Sequence, residues 1–456
     1  MSCLIDTIRE TGPEWQTRID GLENATTISL LVMAAWQLAR VLAVSLVEEV
    51  LVKRAQEKTE WEYCPKCGQR LRSKGFKPRR IKSIIGIIKW ERRVGRCPNK
   101  CAIGQVAPLD KELGLRSNQK SATGLQQAAC LLAIFVPYET AAMLLKQLTG
   151  IEVSGQAIWE WVQSVGQRMM KSLEAELEAL AAGELPETEA ISAEIAAQTL
   201  LIGADGVMVP FRPQAKTAKG KTKWREVKVA IFARLGQVRT RAGKLIPRLH
   251  RHRVGAVLGD IDDLSAQMWL EGLKQGIKQA PEVVWLSDGA RGLWRLFDER
   301  FQVYATGVLD FYHAAQNIWS GVKVWLDGRT TRCQDWFTDA RHRLRHGQAS
   351  DVLDDIKAAA ALPGLPASAQ QSLTKLYHYL DKHRDHIQYD KFKEMGFPIG
   401  SGLVESTCKW LIQQRFKGVG MRWSEDGFNH LLHLRLAWVN GRFDPFFPAS
   451  TPSPKS

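Results

Sequence analysis

The segment from Leu200 to residue 313 constrains the fold more than any other part of the chain. It begins with three strand-like runs, LIGADGVMVPF, WREVKVAIFARL and Arg251 to Leu258. Helices and strands then alternate: a helix from Leu264 to Gln279, the apolar strand VVWLSDG, a helix from Arg291 to Phe301 and a strand in VYATGVLDFYHAA. Three antiparallel strands followed by this alternation predict an α/β sheet of the ribonuclease H type.

Two aspartates interrupt these strands. Asp205 lies inside the apolar run LIGADGVMV, where a carboxylate is costly unless it is paired or binds a metal ion. Asp288 lies where VVWLS gives way to a glycine turn, at the edge where the sites of α/β sheets gather. A helix N-cap is the alternative interpretation of Asp288.

A third acidic residue, Glu405, follows the two glycines of PIGSGLVESTC at the start of a stretch with helical spacing. A solvated helix residue is the alternative. Residues 314 to 395, which precede it, read as helical and predict an insertion with its own small core. The insertion would separate Glu405 from Asp310 in sequence, and the fold would return Glu405 to the sheet.

The three acidic residues predict a metal-dependent reaction on a phosphodiester. Such a reaction, without a covalent protein intermediate, needs an activated water and stabilisation of the leaving oxygen. Two divalent ions held by clustered carboxylates can supply both. We therefore expect Asp205, Asp288 and Glu405 to converge on two Mg²⁺ (or Mn²⁺) ions.

Eight cysteines are present, and four of them form two close pairs, Cys64-Pro-Lys-Cys67 and Cys97-Pro-Asn-Lys-Cys101. Tetrahedral zinc needs four soft ligands, and two short-spaced pairs at the tips of turns supply them. The β-branched run from Ile84 to Val94 between the pairs suggests hairpin strands. The pattern predicts a zinc ribbon with one structural Zn²⁺; redox thiols or packing are the alternatives.

The regions on either side of the cysteines are predicted to be helical. Residues 24 to 58 have apolar positions at helical intervals and suggest a scaffold or self-association. Charges between Leu30 and Val52 favour a buried or amphipathic helix over a membrane span. Further on, Tyr138 to Gly150, a turn, and a helix capped by Ser154 form a candidate helix-turn-helix, with plain helical packing as the alternative.

The charge distribution favours a polyanionic partner. The formal charge is +15 and the pI is near 9.5. From Val52 to Lys120 there are 19 Lys/Arg against 6 Asp/Glu, and from Arg212 to Arg253 there are 14 against 1. Between Lys171 and Gln198 the sign reverses, which suggests a solvated connector. Solvated basic faces are the alternative to two DNA-facing surfaces.

The order of these pieces resembles the DDE transposases of bacterial insertion sequences, specifically the ISKra family. The resemblance covers roughly residues 60 to 440, and its most specific parts are GSGLVES, KGVGMRW and LDFYHA. It implies a ribonuclease H fold with Asp205, Asp288 and Glu405 as the catalytic triad. LDFYHA looks like the Asp-x2-His signature shared with Mutator-like transposases, which implies accessory roles for Asp310 and His313; a helix cap and a packed histidine are the alternatives.

The resemblance also implies a reaction and its partners. End cleavage would free a 3′ hydroxyl that then attacks target DNA, so the expected partners are double-stranded DNA of the element's terminal inverted repeats and of the target. A homodimer or higher homo-oligomer, no membrane, and a cytoplasmic location on bacterial nucleoid DNA are expected. The expected DNA contacts are basic residues: Arg79, Arg80, Lys221, Lys223, Arg225, Lys417 and Arg422. A ribonuclease H-fold nuclease or resolvase, or a transposase-derived non-catalytic regulator, are the alternative functions.

These expectations give a domain plan of eight segments. In chain order they are an N-terminal helical region (1–60), the zinc ribbon (61–110), the helical DNA-binding domain (111–182), a linker (183–198), the first part of the ribonuclease H-like core (199–313), the helical insertion (314–395), the last part of the core (396–445) and a disordered tail (446–456).

Overall fold

The computed structural model describes residues 13–213, 222–241, 243 and 245–447. The chain forms two compact units, one of Met1–Trp161 with Phe447–Ser456 and one of Val162–Phe446. The predicted tail falls almost entirely outside the described residues. The finer domain boundaries given above stay predictions.

The first unit opens with two helices, α1 (Pro13–Glu23) and α2 (Ile28–Gln56). The Thr27 hydroxyl accepts a hydrogen bond from the Leu30 N–H at 3.2 Å and caps α2. By length and composition alone, α2 is the one described helix apolar enough to cross a membrane. Only 6% of its most apolar window is buried. The predicted helix is therefore confirmed, but its predicted burial is not found within the described chain.

A two-stranded antiparallel sheet follows, with β1 (Arg72–Lys82) and β2 (Ile87–Arg96) joined by a short turn. The predicted hairpin between the cysteine pairs is thus confirmed. One core of this unit contains Leu51 of α2, Ile81 of β1 and Trp90 of β2. A short helix α3 (Pro108–Glu112) comes next, and its buried Asp110 accepts from the Arg92 guanidinium at 3.2 Å.

Three further helices follow in the chain: α4 (Thr123–Phe135), α5 (Tyr138–Thr149) and α6 (Gly155–Ala181). Helix α6 begins in the first unit and continues into the second. Gly150 ends α5 in the left-handed conformation, with φ of 69°. The Ser154 hydroxyl accepts from the Ala157 N–H at 3.2 Å, as an N-cap does. The two predicted helices and their turn are confirmed; their use in reading DNA stays a prediction.

The second unit contains a mixed five-stranded sheet in the order β5-β4-β3-β6-β7. Its strands are β3 (Thr199–Phe211), β4 (Lys223–Arg239), β5 (Leu245–Val257), β6 (Val283–Ser287) and β7 (Thr306–Leu309). β3, β4 and β5 pair antiparallel, whereas β6 and β7 run parallel to β3. The α/β fold predicted from the sequence is confirmed at this level, and β5 begins earlier than Arg251.

Helices pack on this sheet. α8 (Ile261–Lys274) follows β5 and has an Asp260 capping box. α9 (Arg291–Leu296) follows β6 and runs on as one π-helical turn, Phe297–Phe301. β6 is buried along its whole length, as expected for a parallel strand covered on both faces.

The helices predicted for residues 314 to 395 are present as a run after β7, and their being an insertion into a ribonuclease H-like core stays a prediction. The run comprises α10 (Phe311–Trp325), α11 (Thr331–Arg345), α12 (Ala349–Ala360), α13 (Ala367–Lys382) and α14 (Tyr389–Glu394). Its apolar residues are continuous with the core of the sheet, from Leu286 of β6 to Leu344 of α11 and Leu380 of α13. The insertion therefore does not have the separate core that was expected.

The last part of the unit carries Glu405. α15 (Gly402–Thr407) passes into a π-helical turn, Cys408–Gln413, and into α16 (Gln414–Phe416); α17 (Glu425–Val439) follows. A π turn leaves backbone carbonyls without their usual helical partners. The buried Arg435 of α17 donates to two of them, the Leu411 oxygen at 2.7 Å and the Trp410 oxygen.

The acidic connector is more ordered than a solvated linker. α6 ends at Ala181, and α7 (Ala193–Ala196) precedes β3. Between them, the Glu189 carboxylate forms ion pairs with Arg253 at 2.8 Å, Arg251 at 3.2 Å and Arg442. Its side chain is only 20% exposed. The expectation of a fully solvated connector is wrong at this residue, because three arginines of the second unit bind it.

Candidate functional site

Three aspartates occupy matching positions on adjacent parallel strands. β3 pairs with β6 up to Ala204 and Ser287, and β6 pairs with β7 up to Ser287 and Leu309. Asp205, which is still within β3, and Asp288 and Asp310, which directly follow β6 and β7, are the next residues along the chain. The sheet therefore places them side by side at the carboxyl edge, where the sites of α/β sheets lie.

Gly203 allows the helix that carries Glu405 to lie on the same face of the sheet as Asp205. Residues 203 and 205 point to one face because side chains alternate along a strand. A Cβ at position 203 would lie closer than 3.0 Å to the Cγ2 of Val404, a buried residue of α15. The missing side chain thus brings α15 against β3, with Glu405 directly after the contact residue.

Asp310 connects the end of β7 to the loop before Glu405. Its Oδ1 accepts from the His313 N–H at 2.8 Å and caps α10, and its Oδ2 accepts from the Ser401 N–H. The residue is 1% exposed. The Phe311 N–H also donates to the Ile399 oxygen at 2.8 Å. The helix-cap interpretation of Asp310 is confirmed, and the same carboxylate fixes the glycine loop.

Asp288 shapes the turn after β6. Its Oδ1 accepts from the Ala290 N–H at 3.0 Å, and its backbone oxygen accepts from the Trp294 indole N–H at 2.7 Å. The N-cap residue of α9 is Ala290, which makes no side-chain cap. Asp288 is therefore not the helix N-cap considered above, and its second carboxylate oxygen makes no hydrogen bond within the described chain.

The charges around Asp205 show that the acidic groups influence one another. Burial raises the pKa of Asp205, and the charges of Asp288 and Glu405 raise it further, while the Gly206 N–H and His313 lower it. The pKa of the buried Cys408 thiol is raised to about 12 by burial and by the charges of Asp205 and Glu405. Carboxylates that repel one another in this way are stabilised by a bound cation.

Tyr379 of α13 brings an uncharged hydroxyl to this edge. Its ring lies over Gly289, where a Cβ would come closer than 3.0 Å to the hydroxyl oxygen. Burial raises the pKa of Tyr379, and the charges of Asp288 and Asp310 raise it further. The hydroxyl therefore stays protonated at neutral pH, and it makes no hydrogen bond within the described chain.

The donor set at the edge is made of oxygen, which suits Mg²⁺ or Mn²⁺. Glu405 is 48% exposed and lies 3.9 Å from the Lys409 ammonium. In the described parts of the chain, the three carboxylates do not form a group whose ligand atoms all lie within 4.8 Å of one another. This spacing does not suit one ion bound by all three carboxylates at once.

The four cysteines do form such a group: the sulfurs of Cys64, Cys67, Cys97 and Cys101 all lie within 4.8 Å of one another. Each pair lies on a turn. In the first turn, the Gly68 N–H donates to the Cys64 oxygen at 2.9 Å, and the φ angle of Gly68 is 68°. In the second turn, the Lys100 N–H donates to the Cys97 oxygen at 3.1 Å. The four thiols can hold a metal ion such as zinc.

Four of the expected DNA-contacting residues lie at the far end of β3 and the start of β4. Lys223, Lys417 and Arg422 are exposed, and the Lys417 ammonium lies 5.6 Å from the ring centre of Trp224. The KGVGMRW segment is fixed there because the Trp423 N–H donates to the Pro210 oxygen at 3.2 Å. Arg225 differs from the others, since it is ion-paired with Glu425 at 2.6 Å.

The remaining expected contacts are divided. Arg80 is exposed on β1. Arg79 is only 11% exposed, and its guanidinium donates to the Ser117 oxygen at 2.8 Å and the Arg116 oxygen at 2.9 Å. Arg79 is therefore used inside the first unit and not as a surface contact. Lys221 lies outside the described residues.

Sequence reasoning missed four residues: Gly203, Tyr379 and Ser401, which lie at the carboxylate edge, and Arg435, which binds the π-helical turn after α15. Gly203 had one available signal, a glycine two residues before an aspartate inside a strand, which marks a close approach of another element. The other three act through contacts with elements distant in sequence, and nothing in their local sequence indicates those contacts.

Comparisons with known proteins give limited similarity. A UPF0236 protein in the vanSb 3′ region of Streptococcus gallolyticus is 25% identical over 352 residues, which cover 76% of this chain and 70% of that protein. The Drosophila P element transposase strand transfer complex matches with a TM-score of 0.33 and 11% identity, over 74% of this chain and 96% of that chain. No family model matches.

Proposed function

We propose that the chain is a DDE transposase that cleaves the ends of a DNA element and joins them to target DNA. The observation that carries this proposal is the meeting of Asp205 and Asp288 on adjacent strand ends with the helix of Glu405, held on their face of the sheet by Gly203. The strand order and the helical run before Glu405 support a ribonuclease H-like core with an insertion.

Asp205, Asp288 and Glu405 are the residues that hold two Mg²⁺ or Mn²⁺ ions. When bound, such ions supply an activated water and stabilise the leaving oxygen of a phosphodiester. Asp205, whose pKa is raised by the charges of both Asp288 and Glu405, would be the ligand shared by the two ions. His313 favours the charged form of Asp205, and Asp310 keeps the Glu405 loop in place. The Tyr379 hydroxyl is a donor that lies beside Gly289, the residue after Asp288.

The rest of the chain recognises and organises DNA. Lys223, Lys417 and Arg422 lie about six residues, or roughly 20 Å, beyond Asp205 along β3, and contact the DNA backbone on the approach to the carboxylates. The four cysteines hold one structural Zn²⁺, and α5 and α6 form the helix-turn-helix. The protein acts as a homo-oligomer on DNA in the bacterial cytoplasm.

The test uses the full-length protein, Mn²⁺, and a DNA duplex containing the sequences that flank its own gene. Wild-type protein is expected to nick that duplex at the element boundary and to join the freed end to a second DNA. Asp288→Asn should reduce cleavage about a thousandfold or more, because removing a metal ligand costs several kcal/mol of transition-state stabilisation, while DNA binding stays nearly unchanged.

Three other results are possible. Equal activity of wild-type protein and Asp288→Asn contradicts the proposed site. Cleavage without any joining favours a nuclease or resolvase on the same fold. Sequence-specific binding without cleavage in either metal favours a non-catalytic regulator.

A further inference from the structure

A positively charged cavity lies in the helical run, beside the carboxylate edge. It has a volume of about 430 Å³. Three basic residues of α11 and one directly after that helix line it, one lysine of α14 closes it, and one aromatic ring stands at its base: Arg341, His342, Arg345, His346, Lys393 and Phe311. The proposed catalytic site uses none of these side chains.

The basic side chains of α11 are ordered by their spacing. Arg341 and Arg345 are one helical turn apart, and their guanidinium carbons lie 5.7 and 5.6 Å from the ring centre of Phe311. The rings of His342 and His346, also one turn apart, stack at 4.2 Å. One aromatic ring thus lies near two guanidinium groups, and a guanidinium held by a ring keeps its N–H groups available to an incoming anion.

The charge of this cavity is not neutralised from within. Among the described residues, Arg341, Arg345 and Lys393 have no carboxylate partner, and the cavity lining contains no acidic residue. The contrast on the same helix is Arg343, which is paired with Asp339 at 2.8 Å and Asp355 at 2.7 Å. Since three permanent cations share one concave surface without a counter-charge, the favoured ligand is an anion with several oxygen acceptors.

The base of the cavity is adjacent to the proposed active site. Phe311 follows Asp310 directly, and its N–H donates to Ile399, which lies in the loop before Glu405. A DNA strand whose reacting phosphodiester lies at the carboxylate edge would continue past Phe311. We propose that this cavity binds the phosphodiester backbone of that DNA strand, next to the bond that reacts. The proposal rests on the proposed function for the identity of the polyanion.

The test measures binding of full-length protein to a random-sequence DNA duplex of about 30 base pairs at KCl concentrations from about 50 to about 200 mM. The variant carries Arg341→Ala and Arg345→Ala. Each lost phosphate contact lowers the slope of log affinity against log salt by about 0.9, so the slope should fall by about 2. A variant with Arg341→Lys and Arg345→Lys should keep most of the slope.

The matched control carries Arg332→Ala and Lys375→Ala, which remove two exposed charges of the same helical run outside the cavity. Its slope should equal that of the wild type. An unchanged slope in the Arg341 and Arg345 variant, or an equal loss in the control, overturns the proposal. The proposal is also overturned if the two arginines contribute more to the binding of poly-glutamate than to the binding of DNA. That result favours an acidic protein partner.

Failure of the cavity proposal is distinguishable from failure of the proposed function. The salt slope is measured without metal and does not require cleavage. If the slope depends on Arg341 and Arg345 as predicted but wild-type protein never cuts DNA, the transposase proposal fails and the cavity proposal stands. If it cuts DNA and the slope does not depend on Arg341 and Arg345, the reverse holds.

Discussion

The cysteine group and the carboxylate group differ in how completely the folded chain assembles them. The four sulfurs come from two turns, residues 64 to 67 and 97 to 101, and lie within 4.8 Å of one another. The three carboxylates come from positions 205, 288 and 405, which strand pairing and one helix contact bring to the same part of the sheet. Among the described residues, their oxygen atoms do not all lie within 4.8 Å of one another. Thiols tolerate such close approach because they are neutral when protonated, whereas ionised carboxylates repel one another.

The difference explains why one site can be read from spacing and the other cannot. Two short Cys-x2-Cys-like pairs define both the ligands and the turns that present them. An oxygen site for Mg²⁺ is more open, keeps several waters, and is completed by ions and substrate. The cysteine group is therefore expected to stabilise the fold, and the carboxylate group is expected to carry out catalysis.

The largest effect is expected at the cysteine group. Cys97→Ser should reduce bound zinc from about one ion per chain to about none, because a structural site needs all four ligands, and should destabilise the first unit. Zinc is measured by inductively coupled plasma mass spectrometry after dialysis. Cys333→Ser, at a buried cysteine outside the group, is the control and should keep the zinc. Full zinc retention by Cys97→Ser would contradict the assignment.

A second test disturbs the carboxylate group without changing a carboxylate. Gly203→Ala should lower DNA cleavage about a hundredfold, because the new methyl group displaces Val404 and, with it, Glu405. Gly255→Ala on β5 is the matched control, since a Cβ there meets nothing within 4 Å. Single-turnover cleavage rates compare the two variants. Equal rates would show that the contact between α15 and β3 does not position Glu405.

The smallest effect is expected at Glu189, whose pKa is shifted in the opposite direction to that of Asp205. Burial alone would raise the pKa of Glu189, but hydrogen bonds from Arg253 and Arg442 hold it at about 2. The folded-state pKa is below the unfolded value, so this stability is present above about pH 5 and is lost as the pH falls towards 2. Glu189→Gln should reduce the free energy of unfolding by about 2 kcal/mol at pH 7.

Urea unfolding at a series of pH values measures this contribution. The difference between wild-type protein and Glu189→Gln should shrink as the pH is lowered from 5 towards 2, because the unfolded state takes up a proton at Glu189 before the folded state does. A difference that stays constant with pH would mean that the ion pairs with the three arginines do not set the stability of this connector.

The sequence predicted the strands, and the places of several acidic residues and cysteines within them or at turns, because the signals for these features are local. VVWLS is apolar throughout and is followed by Asp-Gly, so both β6 and the position of Asp288 at its end follow from the pattern. LDFYHA similarly predicts a strand end and a helix start, and Asp310 caps that helix. The cysteine turns are local in the same sense.

The contacts that assemble the site were not predictable in this way. The packing of Val404 against Gly203 joins two segments that are about two hundred residues apart in sequence. The helix and strand propensities of neither segment specify this contact. Arg79 was expected to be a surface cation, yet Asp110 and two backbone oxygens of the following loop bind it. The acidic run around Glu189 was expected to be solvated, since charge alone does not reveal that three arginines converge on one of its members.

The most direct measurement is a crystal structure of the protein with Mn²⁺ and a DNA end, with the ions located by anomalous scattering. Two ions about 4 Å apart are predicted, with Asp205 bound to both and Asp288 and Glu405 each bound to one. Glu405 should then have left Lys409. Ions absent from this edge, or bound to other acidic residues while Glu405 stays beside Lys409, would contradict the proposed catalytic site.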